Sequence, residues 1–395
     1  MPPAERVHGM KLQRCYRFRL EPTPEQEQAF RRFAGCRRYV WNWGLSRKIE
    51  TYQTTGTGVG YHVLRANLVE LKRIEATEFL KECHSQVLQE TLRDLDRAFI
   101  NFYEKRSGFP KKKSRKGTPH AFRISQGIIA STGCISVPKI GLVKARLHRE
   151  MEGTIKSATI KQSADGHWHV TFVSHFEKEE TEPTTNCPCG IDVGLETFAT
   201  FDGGEKVAAP RFYRRSERKL KRLHRQMSRC RKGSRNRGKA RKRLARGHAK
   251  VRNQRNDWLH KLSLGIVSRH DTVCIEDLNI RGLVKTKLAK SFSDAAHGIF
   301  ARMLVYKGLW YGCQVVKVDR FFASSKTCFD CGHKQPLELS DRRWSCSHCG
   351  SEHDRDINAA RNNLREGLRT VAVGHTETLT ACGEGVRLAT ASDPR

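Results

Sequence analysis

Four cysteines carry the sharpest local chemistry in this sequence: Cys328-x2-Cys331, a spacer of fourteen residues, then Cys346-x2-Cys349. Zinc takes four soft ligands in a tetrahedron, and each Cys-x2-Cys turn can supply two thiolates from one knuckle. Gly332 and Gly350 stand just after each pair, where a knuckle turn favours φ > 0. The spacer is long enough for a short hairpin, which is expected between the two knuckles. His333 and His348 stay open as ligands in place of a cysteine. Four thiolates leave zinc no position for water, so the site is expected to be structural. Cys187-Pro188-Cys189 has a single spacer and no second pair nearby. It reads as small side chains entering a strand.

Three acids stand out by context. Asp192 lies in an apolar stretch between Gly190 and Gly194. Glu276 ends the run Val273-Cys274-Ile275 and is followed by Asp277. Asp356 opens a helical string, Ile357-Asn358-Ala359-Ala360. Carboxylates in apolar surroundings are costly unless they are paired or bound to metal. Each alone would read as an arginine partner in so basic a chain. Together they suit hard divalent cations, which prefer oxygen ligands. A two-metal nuclease needs several carboxylates converging around ions roughly 4 Å apart.

The charge names the partner class. Among 395 residues, 74 Lys and Arg outnumber 41 Asp and Glu, a formal net charge of +33. Such an excess points to a polyanion rather than to a small anionic metabolite. Residues 211–257 hold 21 Lys or Arg against two acids, Glu217 and Asp257. Few aromatics interleave them, which favours phosphate contact over base stacking. Candidate contacts there are Arg214, Arg215, Arg218, Lys219, Arg222, Arg235, Arg237, Lys239, Arg241, Lys242 and Arg243. A second cluster is Lys111, Lys112, Lys113, Arg115 and Lys116. Trp41 and Trp43 read as core residues rather than stacking platforms. No run of about 18 apolar residues exists and no apolar segment follows Met1-Pro2-Pro3. The sequence therefore predicts neither a membrane span nor a secretory signal. Without export, its 14 cysteines are expected to stay reduced.

The elements that must position these groups follow from pattern. A short strand is expected around 13–20. Thr23-Pro24-Glu25-Gln26 starts a helix with a capping box. Leu88, Leu92, Leu95, Phe99 and Phe102 mark another helix over 85–106. Strands follow over 153–162 and 167–175, then a polar linker over 177–185. Residues 190–194, 197–201 and 207–209 form an antiparallel meander turning at Asp202-Gly203-Gly204. Two basic helices come next, broken near Gly233 and Gly238. Buried strands are expected at 272–276 and 313–318, and a last helix from about 353 to 366.

That order resembles an RNase H-type fold of the RuvC branch, and the local strings are closer still. Arg17-Phe18-Arg19-Leu20-Glu21-Pro22-Thr23, Gly190-Ile191-Asp192-Val193-Gly194, Ile275-Glu276-Asp277-Leu278, Ser324-Ser325-Lys326-Thr327-Cys328, Asp354-Arg355-Asp356-Ile357-Asn358-Ala359-Ala360 and Ala381-Cys382-Gly383-Glu384 resemble the TnpB family, the OrfB-type proteins of insertion sequences. The resemblance implies an RNA-guided DNA endonuclease related to type V CRISPR effectors. Its partners would be a guide RNA transcribed from the transposon end and a double-stranded target DNA bearing a short adjacent motif. Asp192, Glu276 and Asp356 would bind two Mg²⁺ ions for two-metal hydrolysis, with Zn²⁺ structural. Asp354 fits the family string less well as third acid. The implied fold class is α/β plus α+β. A RuvC-like domain (186–367) would carry a basic helical hairpin (211–268) and a zinc-ribbon insert (324–351). A β-barrel-like wedge (1–20 and 108–182), interrupted by a helical recognition domain (21–107), would precede it. A loosely ordered tail (368–395) would follow. The expected setting is the prokaryotic cytoplasm, at the nucleoid, with the protein a monomer.

Overall fold

A computed structural model describes residues 10–373 apart from 117, 179–186, 284, 287 and 339. The linker expected over 177–185 falls mostly outside the described residues, as do the string at 381–384 and most of the tail expected over 368–395, whose first residues, 368–372, instead belong to the last helix. The chain divides into two compact units, with one boundary at Lys178.

The first unit opens with strand β1 (Met10–Glu21) and continues through helices α1 (Pro24–Thr55) and α2 (Tyr61–Leu71). A 3-10 helix (Glu75–Glu82) and α3 (Ser85–Tyr103) come next. Six strands complete it: β2 (Ala121–Ile124), β3 (Ile129–Ser131), β4 (Cys134–Val137), β5 (Gly141–Arg146), β6 (Thr154–Gln162) and β7 (Trp168–Lys178). α1 begins where its capping box places it: Gln26 N donates to Thr23 Oγ1 at 3.3 Å and Thr23 N to Gln26 Oε1 at 3.1 Å. The seven strands form one antiparallel sheet in the order β2-β6-β7-β1-β5-β4-β3. That order has two edges, so the barrel expected from the resemblance is an open half-barrel. Tyr16, Phe18 and Leu20 alternate inward opposite Phe172, Val170 and Trp168. Phe30 of α1 meets the ring of Trp168 at 5.0 Å and Phe33 that of Phe122 at 5.3 Å. Sheet and helices thus share one apolar core.

The second unit contains β8 (Pro188–Asp192), β9 (Thr197–Phe201), β10 (Lys206–Ala208), α4 (Phe212–Arg229) and α5 (Arg235–Val267). It continues with β11 (Thr272–Glu276), α6 (Ile280–Leu283), α7 (Ala289–Ala295), α8 (His297–Tyr311) and β12 (Gln314–Val318). β13 (Arg343–Ser345), β14 (Glu352–Asp354) and α9 (Arg355–Ala372) end it. Its sheet runs β10-β9-β8-β11-β12, antiparallel through the meander and parallel from β8 to β12. β11 is an interior strand, and its Val273-Cys274-Ile275 run is buried on both faces, as a parallel interior strand requires. Val273 and Ile275 face α5 and α8, packing with Leu259, Ile266, Phe300 and Leu304. Cys274 faces the other side, with Val316, Leu364 and Val371.

Two expectations need correction. Gly238 does not break a helix: it lies inside α5, and the turn between the basic helices is made at Gly233, whose φ is 87°. Among the described residues, the hairpin expected between the cysteine pairs is also absent. Each knuckle sits at the tip of its own small ladder, Thr327 bridging Lys334 and β13 pairing β14. A tip turn leaves the two cysteine backbones free to fold around one ion, which a shared central hairpin would not.

Candidate metal centres and basic surface

Asp192 is the last residue of β8 and Glu276 the last of β11. Ile191 pairs with Ile275 in parallel register, so the two acids leave adjacent strands side by side at the carboxyl edge of the sheet. Asp356 lies in the first turn of α9, which crosses the same strands. The crossing is close because it meets glycine: a Cβ on Gly190 would overlap the Ala360 carbonyl, and one on Gly367 would overlap Cys274. Asn363, fully buried, donates from Nδ2 to the Ile191 carbonyl at 3.1 Å, one residue before Asp192.

Burial pushes the Asp192 carboxyl up to about 7, helped by the negative charges of Asp356 and Glu276 and opposed by Arg355. Burial, then Asp277, raises Glu276 as well. Among the described residues neither acid has an ion-pair partner within 4.0 Å, while Asp356 has exposed Arg342 at 3.7 Å. An exposed contact of that kind contributes about 0–1 kcal/mol. The cluster is short of positive charge, and its donors are all hard oxygens, the set that magnesium prefers. The three carboxylates do not close into one group with every ligand atom within 4.8 Å.

Asp354 has a different task. Its Oδ1 accepts from the backbone N–H groups of Asp356 and Ile357, both at 3.1 Å, and caps α9. Lys206 Nζ lies 2.7 Å from its other oxygen. Burial works against the charge, yet these bonds hold its carboxyl below the usual range.

The four cysteines converge. Cys328 and Cys349 Sγ are 3.7 Å apart and Cys331 and Cys346 Sγ 3.6 Å. A tetrahedron with Zn–S near 2.3 Å has edges of about 3.8 Å, so the cage fits zinc. The knuckles repeat one geometry: Gly332 N donates to Cys328 O and Gly350 N to Cys346 O, both at 2.9 Å, with φ of 76° and 75° at the glycines. His333 and His348 stack on each other at 5.5 Å, outside the thiolate group. Sequence reasoning missed His353. It is buried, its Nε2 lies 3.1 Å from Cys328 Sγ, and its ring sits on Trp344 at 4.8 Å. Its place at the head of the Asp354-Arg355-Asp356 string was the only available signal. Asn358 and Asn362 were missed too. Both donate from Nδ2 to the carbonyls of Ser324 and Thr327, tying α9 to the first knuckle.

The basic candidates divide by environment. Lys111, Lys112, Arg115 and Lys116 are exposed, but Lys113 is half-buried with Nζ 3.1 Å from the Trp41 ring centroid, and burial lowers it to about 8. Trp41 itself is buried and donates from Nε1 to Lys111 O at 3.0 Å. α4 and α5 pack through Leu220, Leu244 and Val251. Arg214, Arg215, Arg218, Lys219, Arg222, Arg235, Lys239, Arg241, Lys242 and Arg243 lie exposed on that pair. Arg237 instead donates to the carbonyls of Met227 (3.1 Å) and Cys230 (2.9 Å), closing the end of α4.

Comparison with known proteins locates the chain. A family model described as "Probable transposase" (OrfB of the IS605 type) matches residues 171–287. One described as "Cas12f1-like, TNB domain" matches 297–363, and a "Helix-turn-helix domain" model matches 10–57. Over 10–57 this structure has β1 and the single long helix α1. A Streptomyces pristinaespiralis protein named "Putative RNA-guided DNA endonuclease" is 38% identical over 383 residues, covering 95% of this chain and 92% of that one. "Putative RNA-guided DNA endonuclease InsQ" of Escherichia coli is 33% identical over 397 residues, covering 96% of each. Among solved structures, a Cas12f1–sgRNA–target DNA complex aligns with TM-score 0.56 at 13% identity, covering 90% of this chain and 99% of that one. At that identity the likeness is one of fold.

Proposed function

Since the chain belongs to the TnpB family of RNA-guided DNA endonucleases, we propose that Asp192, Glu276 and Asp356 form its magnesium-dependent nuclease centre, hydrolysing a phosphodiester of a target selected by a transposon-end guide RNA beside a short adjacent motif. One observation carries the assignment: two acids end adjacent parallel strands, and a third lies close enough to raise the charge cost at Asp192. Bound magnesium would activate the attacking water and neutralise charge on the leaving oxygen. Asp192 and Glu276 hold the ions from the sheet edge and Asp356 from the helix. Asp354 keeps the first turn of α9 formed, so that Asp356 keeps its position. The four cysteines hold Zn²⁺ as a structural clip. The exposed arginines and lysines of α4, α5 and 111–116 grip phosphates of RNA and hybrid duplex, while base pairing reads sequence.

The test is a plasmid cleavage assay with the full chain co-expressed with RNA from the element's end. Mg²⁺-dependent cutting beside the motif is expected. Alanine at Asp192, Glu276 or Asp356 should lower the rate by roughly 10³-fold or more, the scale of losing electrostatic stabilisation at a transition state. Cleavage by Asp192→Ala at the wild-type rate would overturn the assignment.

A further inference from the structure

Just past β12 the chain presents two neighbouring phenylalanines to opposite environments. Phe322 packs inward with Val316, Val318 and Cys274. Phe321 is 86% exposed, more than any other large apolar side chain among the described residues. The turn that displays it is tied at both residues: Phe321 N donates to Asp319 Oδ1 at 2.7 Å and Phe322 N to Asp319 O at 3.0 Å. An aromatic ring held in water by a fixed turn forgoes the burial that an apolar side chain of its size ordinarily gains.

Its location indicates what covers it. Val318 ends β12 in register with Glu276, so Phe321 stands at the carboxyl edge where the acids end. Beside it, Arg320 and Lys317 both pair with Asp277, Lys317 at 3.4 Å, and the Asp319 carboxylate balances the second cation, so the ring stands on a patch with no net charge. An exposed π face at the sheet edge where Asp192 and Glu276 end matches the base of a nucleotide whose phosphate is held at those acids. We infer that Phe321 stacks on a base of the strand being cut, next to the scissile phosphate, and so selects an unpaired strand, because base faces inside a duplex are already covered. This inference rests on the nuclease reading proposed above.

The test uses the full chain with its guide RNA and matched targets carrying single abasic sites, moved one at a time across the cut strand. Wild type should show one position near the cut where losing the base slows cleavage at subsaturating DNA roughly 10-fold. Phe321→Ala should show that loss on the intact target and no further drop at that position, while Phe321→Tyr keeps the wild-type profile. Matching abasic profiles for wild type and Phe321→Ala would overturn the inference. A wild type that cuts no matched target would sink the nuclease reading instead. A binding arm then still judges the ring: in Phe321→Trp/Asp192→Asn, a single-stranded oligodeoxynucleotide should change the emission beyond the change seen in Asp192→Asn alone, and no added change would overturn the inference.

Discussion

At Asp192 the fold tolerates repulsion that a proton or a bound cation relieves. Burial and two neighbouring carboxylates oppose its ionisation, so without magnesium the charged form destabilises the chain. Asp192→Asn keeps the shape and removes the charge. It should raise the melting temperature of magnesium-free protein at pH 8 by a few °C, on the order of 1 kcal/mol, while abolishing cleavage; calorimetry and the plasmid assay read both. His297 gives a second test with a defined sign. Burial between the rings of Phe198 and Phe292 pushes its imidazole down to about 4. A depressed histidine contributes stability above its unfolded value near 6.5 that is lost as pH falls toward 4, up to about 3 kcal/mol. Thermal melts of wild type and His297→Gln should therefore converge as pH drops from 7 to 4.

At the scale of elements, α9 links the two candidate metal centres. Asn358 and Asn362 bind it to the first knuckle, and Asn363 binds it to β8. Stripping zinc with a strong chelator should release the ribbon ladders and reduce protection of α9 amides near Asp356 in hydrogen exchange, while leaving β1 and β7 unchanged. Gly190→Ala should cost about 1–3 kcal/mol or more, since its Cβ meets backbone that cannot yield; a urea melt measures it. These dependences explain what the sequence could and could not tell. The capping box at Thr23, the apolar run of β11 and the knuckle glycines were legible because each acts through neighbours in sequence. Gly190 and the α9 asparagines were not, because their meaning lies in partners about 170 residues away for Asn363 and about 30 for Asn358. α8 was not singled out either: its residues are apolar without a clear stripe, leaving periodicity nothing to show.

For the whole molecule, charge decides how tightly nucleic acid is held. A net +33 predicts steep salt dependence for guide-RNA binding. Replacing Arg241, Lys242 and Arg243 together by alanine should lower the log–log salt slope by about 2–3 and weaken binding whatever the RNA sequence; filter binding at several salt concentrations measures it. Arg237→Ala should instead leave the slope unchanged and lower the melting temperature, because that guanidinium closes α4.

β14 ends at Asp354 and α9 begins at Arg355, with no residue between them. A helix advances 100° per residue, so a single amino acid inserted at this seam would demand a wholesale rotation. Either the sulphur cage would keep its seat and the third acid swing away from the sheet, or the acid would stay and the cage be wrenched. Lengthening is therefore barred here, and natural variation in length should be confined to the ribbon's outer tips.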